Sequence, residues 1–216
     1  MRFLVLAILI LVYSPLFSQS KTYSFIFLNK KIDADSLPKE EIDKIMQGHM
    51  ANINWLAAEG KLISAGPFEG GGGIFILNTT SVDTAKQWLS TDPGIAANRW
   101  NVEILPYKPR IGSACAVNEP YEMVMYQFIR YKTPATPSPA RSYAKKFYKH
   151  DKLLKQYAKN GNVVAEGIFG IYDGGILVLK SEIEKEVLEA DPAIQDGLLE
   201  LEIKQLWIAK GAFCEK

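Results

Sequence analysis

Two stretches of this chain repeat one another, and between them they hold its only two histidines. His49 is followed by Gly60 and Gly66, His150 by Gly161 and Gly167, and each member of the second set lies 101 residues after its mate. Beyond a turn of slightly different length the register resumes at 99 residues. There Asp92-Pro93 matches Asp191-Pro192, Val102-Glu103-Ile104 matches Leu201-Glu202-Ile203, and Cys115 matches Cys214. An internal repeat sets domain count and symmetry before any local pattern does. Such a chain is expected to fold as two like units.

Each repeat reads strand, helix, strand, strand, helix, strand. Tyr23 to Leu28 and Met123 to Tyr131 are β-branched and aromatic runs suited to strands. Proline-marked helix entries follow, at Pro38 and between Pro134 and Pro139. Ile42, Ile45, Met46, His49, Ile53 and Leu56 recur at helical spacing up to Gly60. Tyr143, Phe147, His150, Leu154 and Tyr157 do the same up to Gly161. Two hairpins come next. Leu62 to Phe68 and Ile74 to Leu77 flank Gly70 to Gly73, and Val163 to Phe169 and Ile176 to Leu179 flank Gly174-Gly175. Second helices are expected over Val82 to Leu89 and Ile183 to Leu188, then an Asp-Pro break, then final strands over Val102 to Tyr107 and Leu199 to Ile208.

A βαββαβ unit with helices on one face of an antiparallel sheet is the ferredoxin-like arrangement, and the fold class is α+β. One unit alone leaves its other sheet face bare. Two units stacked sheet to sheet bury it, which accounts for the tandem copies. The expected division is 1–20, 21–108, a linker at 109–120, and 121–216. The linker carries two prolines and no apolar period, so it connects more than it packs.

The segment 1–20 reads as a signal peptide. Arg2 is its charged start, Phe3 to Val12 its apolar run, and Ser18 to Ser20 its cleavage region. The alternative is an uncleaved anchor, for which the run falls short of the roughly 20 apolar residues that span a bilayer. Cleavage removes one charged residue, so the formal charge falls from +1 to zero. A neutral protein offers nucleic acid or anionic lipid no electrostatic footprint. The expected location is periplasmic or secreted, where disulfides persist. Cys115 and Cys214 occupy matching positions after the last strand of each repeat, so a pseudo-twofold axis could bring them together as a bridge; two free thiols in the tails are the alternative.

A lone histidine on an apolar helix face is usually a satisfied core residue. Here both histidines match across halves that have otherwise diverged, and each half repeats an Asp-Pro where a helix ends against the final strand. A carboxylate beside an imidazole fixes its tautomer and raises its basicity, as a general base requires. Spacing alone does not bring Asp92 to His49 or Asp191 to His150; the fold must. Nothing supports a metal site, since no cysteine pair has ligand spacing and the histidines lie far apart. Gly70 to Gly73 lacks the Lys-Ser/Thr of a phosphate loop, and no Gly-x-Ser-x-Gly is present. The lysines from Lys145 to Lys159 read as a solvated helix face.

The run His49, Glu59-Gly60-Lys61-Leu62, Ala65-Gly66-Pro67-Phe68, Gly73 to Leu77, Thr91-Asp92-Pro93-Gly94 and Val102 to Tyr107 resembles a YCII-related (YciI-like) domain. The resemblance covers about 22–108, with a more divergent copy over about 122–208. It implies a dimeric α+β barrel, here closed by the two copies of one chain, with no metal or organic cofactor. It also implies His49 with Asp92, and His150 with Asp191, as catalytic pairs. Gly66, Pro67 and Phe68 would line the substrate pocket. Gly94 and Ala193 depart from it, standing where the family usually has an aromatic residue. The implied chemistry is isomerase or lyase type, including dehydrochlorination, on a small, hydroxylated aromatic molecule. A rival reading is a non-catalytic protein that binds a small ligand in the same barrel pocket.

Overall fold

The structure, a computed structural model, describes residues 21–34, 36–135, 143–170 and 173–215. The expected signal peptide lies outside the described residues. The first half runs β1 (Tyr23–Lys30), α1 (Lys39–Ala58), β2 (Leu62–Pro67), β3 (Gly73–Leu77), α2 (Val82–Leu89), α3 (Pro93–Ala96) and β4 (Trp100–Ile111). The second runs β5 (Met123–Lys132), α4 (Tyr143–Lys159), β6 (Val163–Ile168), β7 (Gly175–Leu179), α5 (Lys185–Glu189), α6 (Pro192–Gln195) and β8 (Glu200–Ala209). The expected order is present, with an added short helix after each Asp-Pro. The sequence reading took that pair as a break. Instead the aspartate caps a new helix and the proline, which has no N–H to lose, takes its first position.

The strands form one antiparallel sheet in the order β2-β3-β1-β4-β6-β7-β5-β8. Phe68 bridges to Leu206, and the Glu69 N–H donates to the Gln205 carbonyl at 2.9 Å, so the two ends of that order meet and the sheet closes. At the other seam Lys108 pairs with Ile168 and Pro109 with Gly167. Both seams join the last strand of one half to the second strand of the other, as a pseudo-twofold axis requires. The segment expected as a loose linker therefore does structural work. Residues 109–111 belong to β4, and the N–H groups of Ser113 and Cys115 donate to Phe213 and Ala212 at 3.0 and 2.9 Å. Cys115 and Cys214 are disulfide-bonded.

Alternation along each strand sorts side chains into layers. Phe25 and Phe27 of β1 face into the barrel, while Ile26 and Leu28 face the helices. Inside, Phe25, Phe27, Phe68, Tyr107, Phe128 and Phe169 pack with centroids 4.9 to 6.3 Å apart. Burying each such ring contributes about 2–3 kcal/mol. The barrel interior is thus lined by the protein's own rings. Arg130 lies among them, 4.0 Å over Phe27, and donates to both oxygens of Glu103 at 2.7 and 2.6 Å. Across the β4–β6 seam, Arg110 Nε donates to Glu166 at 2.9 Å and its Nη1 to Asp151 at 2.9 Å.

The matched glycines have two physical explanations. Gly60 and Gly161 end α1 and α4 with φ of 65° and 71°, the left-handed turn that closes a helix. Gly66 and Gly167 sit at the two seams. A Cβ on Gly66 would lie 2.8 Å from the Trp207 carbonyl oxygen and 3.0 Å from Leu206. Gly66→Ala should therefore destabilise by about 1–2 kcal/mol through overpacking, read as a lower urea midpoint at unchanged slope. An unaltered midpoint would show that the seam has slack. The α4 lysines at 145, 149, 152, 155 and 159 are exposed, as a solvated face should be. Helix α5 begins two residues later than expected, because Gln127 holds the backbone of Ile183 through bonds of 3.0 and 2.9 Å.

Candidate functional site

On α1 the only described residues fully enclosed are His49 and Leu56, seven apart on the face toward the sheet. Helix α3 packs across α1 at Gly48, where a Cβ would stand 2.9 Å from Pro93 Cγ. That approach lets Asp92, at the start of α3, reach the histidine. His49 Nδ1 lies 2.7 Å from Asp92 Oδ2. The second half repeats the geometry, with His150 Nδ1 2.6 Å from Asp191 Oδ2. Both carboxylates are fully buried.

Each aspartate is held by its other oxygen. Asp92 Oδ1 accepts from the N–H groups of Gly94 and Ile95 at 2.8 and 3.1 Å, and Asp191 Oδ1 accepts from that of Ala193 at 2.8 Å. The cap thus fixes the acid, and the acid fixes the imidazole. With the carboxylate ionised, Nδ1 carries the hydrogen it donates, and a neutral ring presents its lone pair at Nε2. Such a pair can take and return one proton.

The surroundings differ between halves. His49 stacks on Phe75 at 5.8 Å and meets Trp100 at 4.7 Å, and its side chain keeps 8% of its surface. A Cβ on Gly94 would lie 2.3 Å from Trp100 Cζ3. Trp100 thereby fills the space an aromatic residue at 94 would need, which explains the departure noted in the sequence. His150 touches Tyr131 at 4.8 Å and Phe147 at 6.2 Å, and its side chain keeps 1%. Its Nε2 is buried with no hydrogen-bond partner. The sequence puts Tyr157 on the same helical stripe as His150, but gives no signal that Tyr131, in a strand, meets the ring.

The structure does not bring Gly66, Pro67 and Phe68 to His49. Gly66 pairs with Ile74, which faces the barrel interior, whereas His49 stacks on the next residue, Phe75, on the helix side. Pro67 and Phe68 instead line a surface cavity of about 270 Å³ with Glu69, Met125 and Trp207 at the β2–β8 seam. A second cavity, of about 320 Å³, runs along Gln127, Glu182 and Gln205. Neither cavity is lined by a histidine. Among the described residues no group of three His, Cys, Asp or Glu side chains is arranged to hold a metal ion.

The His49–Asp92 half coincides with a known family: residues 24–108 match the model of the YCII-related domain. The second half lies outside that match. No curated protein matches the chain. Among solved structures, one provisionally assigned as a chlorite dismutase is similar at 10% identity and a TM-score of 0.46, over 87% of this chain and 94% of that one. A provisionally assigned monooxygenase from Fusobacterium nucleatum is similar at 10% identity and a TM-score of 0.45, over 88% and 92%. Strand β1 through the middle of β4 carry the match, and both members of the first pair fall inside it.

Proposed function

We propose that this protein is an exported acid–base enzyme, isomerase or lyase in type, acting on a small, hydroxylated aromatic or related molecule without a cofactor. His49 and His150 serve as general bases and acids, with Asp92 and Asp191 orienting them and stabilising the imidazolium that forms. The observation that carries this reading is the repeated Nδ1–carboxylate contact, 2.7 and 2.6 Å, each acid held by a helix cap. A solvated structural histidine would need no such double anchoring, and the two halves have kept it while their neighbours diverged. Proton transfer by a group so placed typically contributes about a hundred- to ten-thousand-fold in rate. Export is supported by the apolar N-terminal run and by the disulfide. No helix of the described residues is long and apolar enough to cross a membrane.

Nitrogen-15 NMR of the imidazoles at alkaline pH tests the arrangement. Both rings should show hydrogen on Nδ1, the less common tautomer, and Asp92→Asn should let His49 populate the other form while His150 stays unchanged. A His49 ring already protonated on Nε2 in the unaltered protein would overturn the reading.

A further inference from the structure

The two halves supply an internal control that assigns the second one a ligand. Cross-strand register matches Tyr131 to Leu28, since Tyr131 pairs with Leu201 and Leu28 with Val102, which are themselves matched. Tyr157 follows His150 by seven residues as Leu56 follows His49. Where the first half has two buried leucines, the second has two phenols, the Tyr131 ring 4.8 Å from His150 and both phenols within the field of Asp191. The fold does not need the hydroxyls. Yet the Tyr131 and Tyr157 hydroxyls and His150 Nε2 are all buried with no hydrogen-bond partner. Interiors leave only a few such atoms per hundred residues unpaired, because each forgoes the bonds it had in water. Three gather here around one carboxylate. Burial first, and then the negative charge of Asp191, raise the proton affinity of both phenols, so both remain hydrogen-bond donors at neutral pH. Tyr157 is only half-buried and stands at the outer side of the group.

We propose that Tyr131, Tyr157 and His150 form a binding site for a small enolisable carbonyl compound. This deepens the acid–base reading above and rests on it. His150 Nε2 accepts a proton from the carbon beside the carbonyl. The electron pair of that C–H bond forms the C=C bond, and the carbonyl π pair moves onto oxygen. The resulting enolate oxygen accepts hydrogen bonds from the two phenols. The substrate is β,γ-unsaturated, so the anion is a dienolate. Nε2 returns the proton to the γ-carbon, whose π pair forms the new C–H bond. The Cα π pair moves to join Cα and Cβ, the oxygen pair re-forms the carbonyl, and the net change is a 1,3-proton shift with nothing else consumed. Asp191 keeps Nδ1–H directed to itself throughout. Tyr131 and Tyr157 are donors to the reacting oxygen, a role that Leu28 and Leu56 cannot fill in the other half.

The probe is 4-nitrophenol, whose anion carries an oxygen on unsaturated carbon like an enolate. Added to the full protein, it should shift the imidazole resonances of His150 and leave those of His49 in place. Tyr131→Phe and Tyr157→Phe should each weaken that binding roughly tenfold or more, the loss of a hydrogen bond to a charged group. Each variant should also melt at the same temperature as the parent or about 2–4 °C higher, because an unpaired buried hydroxyl has gone. Lower melting in both variants would make the hydroxyls structural and overturn the proposal. A response at His49 alone would overturn it and leave the acid–base reading standing. A response at neither ring would remove both.

Discussion

Replacing Cys115 and Cys214 by serine should lower the unfolding free energy by about 4 kcal/mol and the melting temperature by roughly 8–16 °C. The bond closes a loop across a sequence separation of 99 residues, nearly the whole second half, so its absence frees a long stretch of unfolded chain. It also pins one seam of the barrel. The stretch around Cys115 runs beside the C-terminal turn, bonded to Ala212 and Phe213, while the β2–β8 seam has no covalent tie. The cysteine-free protein should therefore exchange the amide hydrogens of Ser113 and of the serine introduced in place of Cys115 faster than those of the β1–β4 ladder. Urea unfolding with and without reductant, on parent and variant, gives the number. Equal midpoints would mean that the backbone bonds at this seam suffice without the bridge. A loss of this size would also disfavour folding in a reducing compartment, which agrees with the proposed export.

The repeat made most of the architecture legible, because matched positions reveal burial twice. The paired glycines, the order of elements along the chain and the disulfide partners could all be anticipated from it. The Asp-Pro helices carry a sequence signal too, through capping. Aspartate before proline is a start signal as much as a break. Other features were hidden for physical reasons. Proline-rich composition made 109–120 look like a spacer, but Pro109 lies where β4 crosses onto β6 and its missing N–H goes unused. The resemblance placed Gly66, Pro67 and Phe68 in a pocket with His49. Strand alternation sends Gly66 to the opposite face, and a one-residue change of register would have been needed to join them. The contact of Tyr131 with His150 had no local signal, since strand β5 and helix α4 meet only in the folded half. Trp100 is the same kind of case, for its contact with His49 depends on Gly94 being bare.

Glu103→Leu should destabilise the protein by about 3 kcal/mol at neutral pH. Arg130 is 2% exposed, and its Nε already lacks a partner, so removing the carboxylate strands a buried cation. The figure stays at the low end for a broken buried pair because the Glu103 side chain keeps 35% of its surface, where water offsets part of the loss. Register then predicts a rescue. Arg130 pairs with Glu202 as Phe27 pairs with Glu103, so Phe27 is its counterpart, and an apolar side chain is native to that position. Glu103→Leu combined with Arg130→Met should recover most of the loss. Acid should separate the same variants. The hydrogen bonds from Arg130 hold the Glu103 carboxyl below its usual range despite the opposing effect of burial. A depressed carboxylate contributes stability that is complete above the unfolded-state value, near 4.3, and is lost as pH falls through the lower folded value. Asp173 is shifted the other way, chiefly by its own burial, and it also feels the charges of Arg130 and Glu103, so each variant is compared with its own Asp173→Asn counterpart. Chemical unfolding across this interval should show the gap between parent and Glu103→Gln narrowing toward acid. A gap that stays constant down to strong acid would mean that Glu103 titrates alike in both states and that Arg130 draws its stability from the rings of Phe27 and Phe169 instead.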